Sequence, residues 1–177
     1  MPPPFSPIAW YDASLQSEAD GAPVASFTDQ IGGFHAVQAT EAAQPVLRVV
    51  GGRKYLRFSG AQKLAIPTSL SVDRRANSVF VAFRNAVTSN TSAVLAHLGA
   101  AAIKGGVLLT GSTYLHRVYG WANTSGIPST ISGSNGVNAA GYTQSATASK
   151  VFCGREIATG VAPAAETVTG GWIGSLT

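Results

Sequence analysis

Charged side chains are scarce in this chain: Asp, Glu, Lys and Arg make up only 11% of its 177 residues, where about a quarter is usual. Hydrophobic residues reach 45%, which excludes disorder, because a disordered chain combines low hydrophobicity with high charge. The length suits one domain with a buried core. The surface must then consist largely of neutral polar residues, which favours a protein held in an assembly or one that meets a neutral polar ligand.

Cysteine occurs once, at Cys153, which excludes an intrachain disulfide framework and a cysteine-ligated metal site. The first residues lack the basic start and apolar run of a signal peptide. No apolar stretch reaches the length of a membrane span. We therefore expect a protein made in the cytoplasm. If it works outside a cell, a virion, lysis or a missing upstream segment must carry it there.

Metal-ligating and nucleophilic motifs are also missing. The histidines, His35, His97 and His116, stand alone, without the spacings that zinc sites use. The many serines include no Gly-x-Ser-x-Gly nucleophile motif, and no glycine-rich phosphate loop precedes a helix. We therefore expect no metal and no cofactor.

The chain is basic, with a net charge of +4, but its basic residues are spread along the sequence. The densest group, Arg53 to Lys63, belongs to a predicted strand and its flanking turns, and it matches no nucleic-acid-binding motif. A phosphate backbone is bound by clustered positive charge. We therefore interpret these residues as solvated strand ends and expect no nucleic-acid partner.

The chain is rich in short apolar runs that alternate with Asp, Gly and Pro turns, a pattern typical of β-strands. Five recognisable segments follow one another: Trp-Tyr-Asp-Ala-Ser, an Asp-Gly turn, an aromatic-x-Asp-x-x-Gly turn, a Gln-to-Pro segment and an aromatic-x-Gly strand end, at residues 10–14, 20–21, 27–32, 38–45 and 58–60. Their order resembles the N-terminal half of laminin-G-like domains of the concanavalin-A-like lectin/glucanase superfamily. The likeness is to versions found in phage virion and bacterial surface proteins.

The resemblance implies an all-β fold: a jelly-roll β-sandwich of two antiparallel sheets with little helix, in residues 8–177, preceded by an extended Pro-rich arm in residues 1–7. It also implies that Trp10, Phe27 and Phe58 are framework aromatics of the core. Many relatives have Asp where Ser59 stands, so no calcium site is carried over. Relatives often hold a calcium ion with loop carboxylates, and Asp29 beside Gly32 is the candidate here. An Asp in that position more often caps its own turn, and we interpret Asp29 in this way.

Glucan-cleaving members of that superfamily carry carboxylates at Glu-x-Asp-x-x-Glu spacing on one strand, which places an acid and a nucleophile beside the sugar. This chain has 8 acidic residues, and its nearest such pair, Glu18 and Asp20, lies in a turn. We therefore expect a protein that is not an enzyme. A glycan hydrolase or lyase is the less favoured alternative.

The strand pattern makes further predictions about the fold. Residues 45–50 and 54–58 predict a hairpin around a Gly-Gly turn, and residues 78–83, apolar on both faces, predict a central strand. Residues 8–11 predict a first strand and residues 150–157 a later one. The last strand stops at Thr177 without the family's closing element, so we expect an open edge there or a longer natural chain.

An aromatic-rich strand gives the ligand hypothesis. Arg117, Tyr119 and Trp121 share one face by the two-residue period of a strand, and Asn123 begins a polar loop that extends to residue 138. Aromatic faces with Arg and amide groups suit a sugar ring and its hydroxyls. The alternative, that these aromatics anchor the core or a subunit interface, is the more common role of such residues.

Together these observations predict a non-enzymatic structural or recognition module, most simply a decoration, fibre or tail-associated component of a phage-type virion. Its expected partners are other coat proteins, further copies of itself and cell-surface glycan, with no membrane partner. A carbohydrate-binding lectin domain of a larger secreted protein is the alternative. Assembly contacts are expected from the Pro-rich arm and the open edge, at Pro2, Pro3, Pro4, Phe5, Trp172 and Leu176.

Overall fold

The computed structural model describes residues 7–84, 93–99, 105–110, 115–119, 129–132, 137–153, 156–161 and 165–174. In these residues the helical elements are two single 3-10 turns, Ala13–Leu15 and Glu41–Ala43. The strand pairs of the described sheets are antiparallel. The expectation of an all-β fold with little helix is confirmed. No helix in the described ranges has the length and hydrophobicity of a membrane-spanning segment.

The described strands are numbered in chain order. They are β1 (Ser26–Phe27), β2 (Ala36–Val37), β3 (Val46–Val50), β4 (Arg53–Arg57), β5 (Lys63–Asp73), β6 (Asn77–Arg84), β7 (Ala93–Leu98), β8 (Gly105–Thr110), β9 (Leu115–Tyr119), β10 (Ser129–Ser132), β11 (Val137–Gln144), β12 (Ala148–Cys153), β13 (Glu156–Val161) and β14 (Thr167–Gly174).

The strands form two larger sheets and one hairpin. The first sheet has the order β1-β2-β5-β14-β7-β8-β9-β10, the second has the order β13-β12-β11-β6, and β3 pairs only with β4 among the named strands. Strands β6, β11, β12 and β13 contact β7, β8, β9 and β10 of the larger sheet. The two sheets therefore face each other in a sandwich-like arrangement.

The main core cluster lies on the half of the larger sheet built from β1, β2, β5, β14 and β7. Its buried members are Phe27, Ala36, Leu64, Ile66, Leu70, Leu98 and Val168. Burying a side chain such as Leu or Phe contributes about 1.5–3 kcal/mol, so these seven residues are a large part of what stabilises the sheet. Of the framework aromatics, Phe27 is buried as expected, Phe58 is half-buried against this cluster, and Trp10 is half-buried outside it.

The hairpin of β3 and β4 confirms the strand prediction to within one residue at each end. Gly51 and Gly52 form its turn with φ values of 57° and 73°. A two-residue hairpin turn of this kind needs positive φ at both positions, which glycine adopts without a steric penalty. Leu47 and Leu56 face inward, so the other side of the hairpin faces solvent.

The expectation of a central strand at residues 78–83 is wrong, because β6 is the last strand in the order of its sheet within the described residues. Ser78, Phe80 and Ala82 are exposed, whereas the residues between them are half-buried. The outward face of this strand is apolar because it carries Phe80, which is 53% exposed. The sequence pattern predicts a strand covered on both faces, but the described residues leave this face exposed.

The open edge expected at the C-terminal strand is also absent from the described residues. β14 pairs with β5 on one side and with β7 on the other, so it lies in the interior of the larger sheet. Residues 8–11 form no named strand, since Tyr11 makes only an isolated bridge to Asp29. Of the single strand expected at residues 150–157, residues 150–153 belong to β12 and residues 156–157 to β13, and these two strands pair with each other.

Candidate functional site

The predicted sugar platform lies only partly within the described residues. Arg117 and Tyr119 lie on β9, next to the last strand of the larger sheet, where β9 pairs with β8 and β10. Trp121 and Asn123 lie outside the described residues. The platform therefore stays a prediction from the sequence.

Of the predicted assembly contacts, the structure describes only Trp172. Pro2, Pro3, Pro4, Phe5 and Leu176 lie outside the described residues. Trp172 is half-buried on the interior strand β14, where its register partners are Ala65 of β5 and His97 of β7. Trp172 therefore does not lie at an open edge of the sheet.

Trp172 belongs to a cluster with His97 and Lys63. The rings of His97 and Trp172 meet edge-on, with centroids 3.5 Å apart at 87°, and Lys63 Nζ lies 5.1 Å from the Trp172 ring centroid. His97 is only 1% exposed. Burial lowers the pKa of His97 to about 4, despite a hydrogen-bonding contact with the Leu98 carbonyl, and nearby Lys63 acts in the same direction as burial. His97 is therefore a neutral packing group at physiological pH.

Asp29 organises the turn that follows β1. Its Oδ1 accepts hydrogen bonds from the N–H groups of Trp10 (2.7 Å) and Ile31 (3.2 Å), and its Oδ2 accepts from Gly32 and Phe34, both at 2.9 Å. Burial alone would raise the pKa of Asp29, but these four N–H donors outweigh it and hold the pKa below its ordinary value. The prediction that Asp29 caps its own turn is confirmed.

Three further carboxylates of the described residues take part in ion pairs: Asp20, Glu166 and Asp73, of which Asp73 Oδ1 lies 4.0 Å from Arg75 Nε. Asp20 Oδ1 accepts hydrogen bonds from Val49 N–H and Arg48 Nε, both at 2.9 Å, and Glu166 Oε2 accepts from Arg74 at 3.2 Å. Backbone donation from Val49, followed by the Arg48 guanidinium, holds the pKa of Asp20 below its ordinary value. Among the described residues, no group of three or more His, Cys, Asp or Glu side chains is placed to hold a metal ion.

The outward face of the four-stranded sheet carries two phenylalanines in contact. Phe80 of β6 and Phe152 of β12 lie on either side of Gly141 in β11, because Gly141 is the register partner of both. Their ring centroids are 5.1 Å apart at an interplanar angle of 38°, and Phe80 is 53% exposed. A side-chain carbon at Gly141 would overlap the Phe152 ring. We call Phe80 and Phe152 the aromatic pair.

The rows beside the aromatic pair carry hydroxyl groups and small side chains. One row lies two residues along the strands from the aromatic pair, a distance of about 7 Å. It consists of Ser78, Thr143, Lys150 and Thr159, which are in register across the four strands. On the other side of the pair, Ala82 and Ala139 are opposite each other and exposed. Among the described residues of these two rows, the one charged side chain is Lys150.

Phe80 and Phe152 do not stand out as a site in the sequence. The two residues are far apart in the chain, and each lies in an apolar run that also fits a buried strand. Only the register of three strands brings them together over Gly141. The alternation of residues 78–83 is hidden, because both faces of that strand carry apolar side chains.

Comparison with known proteins identifies no relative: a scan against protein-family models, a search of the curated proteins and a search of the solved structures each found no match. The likeness to laminin-G-like domains therefore stays an expectation from the motif segments. The function has to be argued from the geometry of the described residues.

Proposed function

We propose that this chain is a non-enzymatic recognition module of the jelly-roll sandwich type, which binds glycan through the aromatic pair on the outward face of its four-stranded sheet. The pair itself carries the proposal: two rings in contact, one of them more than half exposed, beside a row of hydroxyl groups. A sugar presents an apolar C–H face and a hydroxyl edge. Phe rings suit the first, and Ser and Thr hydroxyls suit the second.

The proposal includes a place on the surface of a phage-type particle, as a decoration, fibre or tail-associated component. The order of the motif segments in residues 8–67 supports it, as does the content of only 11% charged residues. A surface with so little charge loses little solvation when it is covered by neighbouring coat proteins. Cell-surface glycan is then the partner on the exposed side.

The roles of the described carboxylates support a function without catalysis. Glycoside hydrolysis needs two carboxyl groups on either side of the scissile bond. The carboxylate of Asp29 accepts hydrogen bonds from four backbone N–H groups, and that of Asp20 accepts from Val49 and Arg48. The row of described residues next to the aromatic pair contains no carboxylate.

The test is retention of the purified chain on immobilised neutral polysaccharides from bacterial envelopes, with Phe80→Ala as the variant. We expect saturable retention of the unmodified chain and about a tenfold or greater loss in Phe80→Ala, since exposed aromatics contribute strongly at binding sites. Ile31→Ala is the matched control, because Ile31 is also apolar and 51% exposed but lies in the N-terminal loop. Equal retention of both variants would contradict the proposal.

The same assay separates this site from the one predicted from the sequence. Loss of retention in Trp121→Ala, with Phe80→Ala unaffected, would place the glycan on the aromatic-rich strand instead. New reducing ends in the polysaccharide would show an enzyme and overturn the non-enzymatic assignment.

A second candidate function is an assembly contact in which the outer edge of β6 pairs with a strand of another coat protein. Its support is the position of β6, the last strand of its sheet within the described residues, because such a strand can pair with a strand of another chain. Sedimentation over a range of concentrations tests it. A chain that oligomerises but is retained by no polysaccharide would favour this candidate.

A further inference from the structure

The hairpin of β3 and β4 has a strongly basic composition. Residues 46–57 contain four of the chain's 12 basic residues and no acidic residue. Arg53, Tyr55 and Arg57 alternate along β4 and are all exposed, whereas Lys54 and Leu56 between them are half-buried on the opposite side. We call the surface formed by Arg53, Tyr55 and Arg57 the basic face.

The two arginines of the basic face differ from Arg48 of the same hairpin in their partners. Arg48, opposite Tyr55 on β3, donates from Nε to Asp20 at 2.9 Å, so its charge is matched. Within the described part of the chain, neither Arg53 nor Arg57 has an ion pair or a side-chain hydrogen bond. Both guanidinium groups are therefore available to an anionic partner.

The spacing of the basic face places an aromatic ring between two positive charges. Arg53 and Arg57 are four residues apart on one strand, which corresponds to about 13 Å. Tyr55 lies midway and is 40% exposed. Val50, the register partner of Arg53, is 53% exposed and extends the apolar surface next to the tyrosine.

We propose that the basic face binds an acidic polysaccharide in which neutral sugars separate the carboxylate groups. Arginine pairs with carboxylates through a planar fork of N–H donors, and a tyrosine ring can stack on the C–H face of the sugar between them. The basic face is on a different sheet from the aromatic pair, and this inference holds whether or not that pair binds a glycan.

Charge density favours this partner over nucleic acid. Duplex DNA carries one negative charge per about 1.7 Å of its axis, and proteins that bind it neutralise several phosphates at once. Two arginines without an ion pair, about 13 Å apart along the strand backbone, match a sparsely charged polymer better. Arg53 and Arg57 are the first and last residues of β4 and are exposed, as their sequence pattern suggests, and the proposal adds a partner for them.

The experiment measures binding of the full chain to hyaluronan, which carries a carboxylate on every second sugar, at about 50 mM NaCl, where exposed charges are weakly screened. Neutral dextran and oligo(dT) are the comparison polymers. We expect hyaluronan to bind, dextran to bind at least about tenfold more weakly, and the double variant R53Q/R57Q to lose about tenfold or more in hyaluronan affinity. Because both arginines are exposed, the double variant should keep the urea midpoint of the unmodified chain.

Single variants decide whether the effect is local. Arg53→Gln and Arg75→Gln remove the same charge, but Arg75 lies in the turn before β6. We expect hyaluronan affinity to fall in Arg53→Gln and to change by less than about twofold in Arg75→Gln. Equal losses in these two variants would overturn the proposal in favour of net charge alone. No hyaluronan binding would also overturn it, and tighter binding of oligo(dT) would replace the polysaccharide by a nucleic acid.

Discussion

Asp29 joins three parts of the N-terminal region through one side chain. Its carboxylate holds the backbone near Trp10, the turn at residues 31 and 32, and the approach to β2 at Phe34. Charge-assisted hydrogen bonds of this kind are stronger than those between neutral groups. A side chain with both oxygens occupied in this way stabilises a loop that has little regular secondary structure.

Asp29→Asn is expected to destabilise the protein by about 2–4 kcal/mol. The amide nitrogen of Asn would face backbone N–H groups from which it cannot accept a hydrogen bond. The free energy of unfolding in urea measures the effect. Asp73→Asn is the matched control, since Asp73 is exposed and accepts from a single backbone N–H, that of Arg75. Similar losses in the two variants would contradict a special role for Asp29.

His97 should make the stability of the protein depend on acidity. Its pKa is about 4 in the folded protein and about 6.5 in an unfolded chain. The unfolded chain therefore binds the proton more readily, so the contribution of neutral His97 is complete above about pH 6.5 and is lost as the pH falls towards 4. At about pH 5 this loss amounts to about 2 kcal/mol.

Urea denaturation at about pH 7 and about pH 5 measures that loss in the unmodified chain and in His97→Phe. Between the two pH values, the free energy of unfolding should fall by about 2 kcal/mol less in the variant than in the unmodified chain, because the phenylalanine ring does not titrate. An NMR titration of the His97 ring gives the pKa directly, even if the variant folds poorly. A ring that titrates near its ordinary value would refute the prediction.

At the scale of single elements, what the sequence predicts well is local. The hairpin of β3 and β4 follows from alternation around a Gly-Gly turn, and the cap at Asp29 follows from an Asp three residues before a glycine. The place of a strand in its sheet is different, because it depends on partners far away in the chain. For this reason the sequence pattern predicts the wrong places in their sheets for β6, which is the last strand of its described sheet, and for β14, which lies between β5 and β7.

The candidate site shows the same limit. Phe80 and Phe152 become neighbours only when β6, β11 and β12 pair in the observed register, with Gly141 between them. Sequence alone identified apolar strands there, but it could not identify which of their side chains face outward. Composition predicted a surface rich in neutral polar residues, and Ser78, Thr143 and Thr159 in the row beside Lys150 fit that prediction.

Gly141→Ala tests how the element β11 supports the aromatic pair. The added carbon would overlap both the Phe152 ring and the Val79 carbonyl oxygen, so we expect a destabilisation of about 2–4 kcal/mol. Retention on the neutral polysaccharide should weaken as well, because the Phe152 ring must move. Ala139→Ser, on the same strand and face, should change the stability by less than about 0.5 kcal/mol. A fully stable Gly141→Ala variant would show that the sheet tolerates a side chain there.

At the scale of the whole molecule, the two proposed surfaces lie on different sheets and differ in charge. The aromatic pair has one lysine in the neighbouring row, whereas the hairpin carries four of the 12 basic residues. Binding at the basic face should therefore depend on ionic strength, and binding at the aromatic pair should not. Screening acts over about 8 Å at physiological salt, so it reaches exposed arginines but has little effect on stacking.

Raising NaCl from about 50 mM to about 500 mM should weaken hyaluronan binding about tenfold or more. Retention on the neutral polysaccharide should change by less than about twofold, since it involves no ion pair. Phe80→Ala should keep the salt dependence of hyaluronan binding, and R53Q/R57Q should keep the neutral retention. These crossed controls test whether the surfaces act separately. If salt weakened both interactions in parallel, or if either variant impaired both, a single shared surface would be the better explanation.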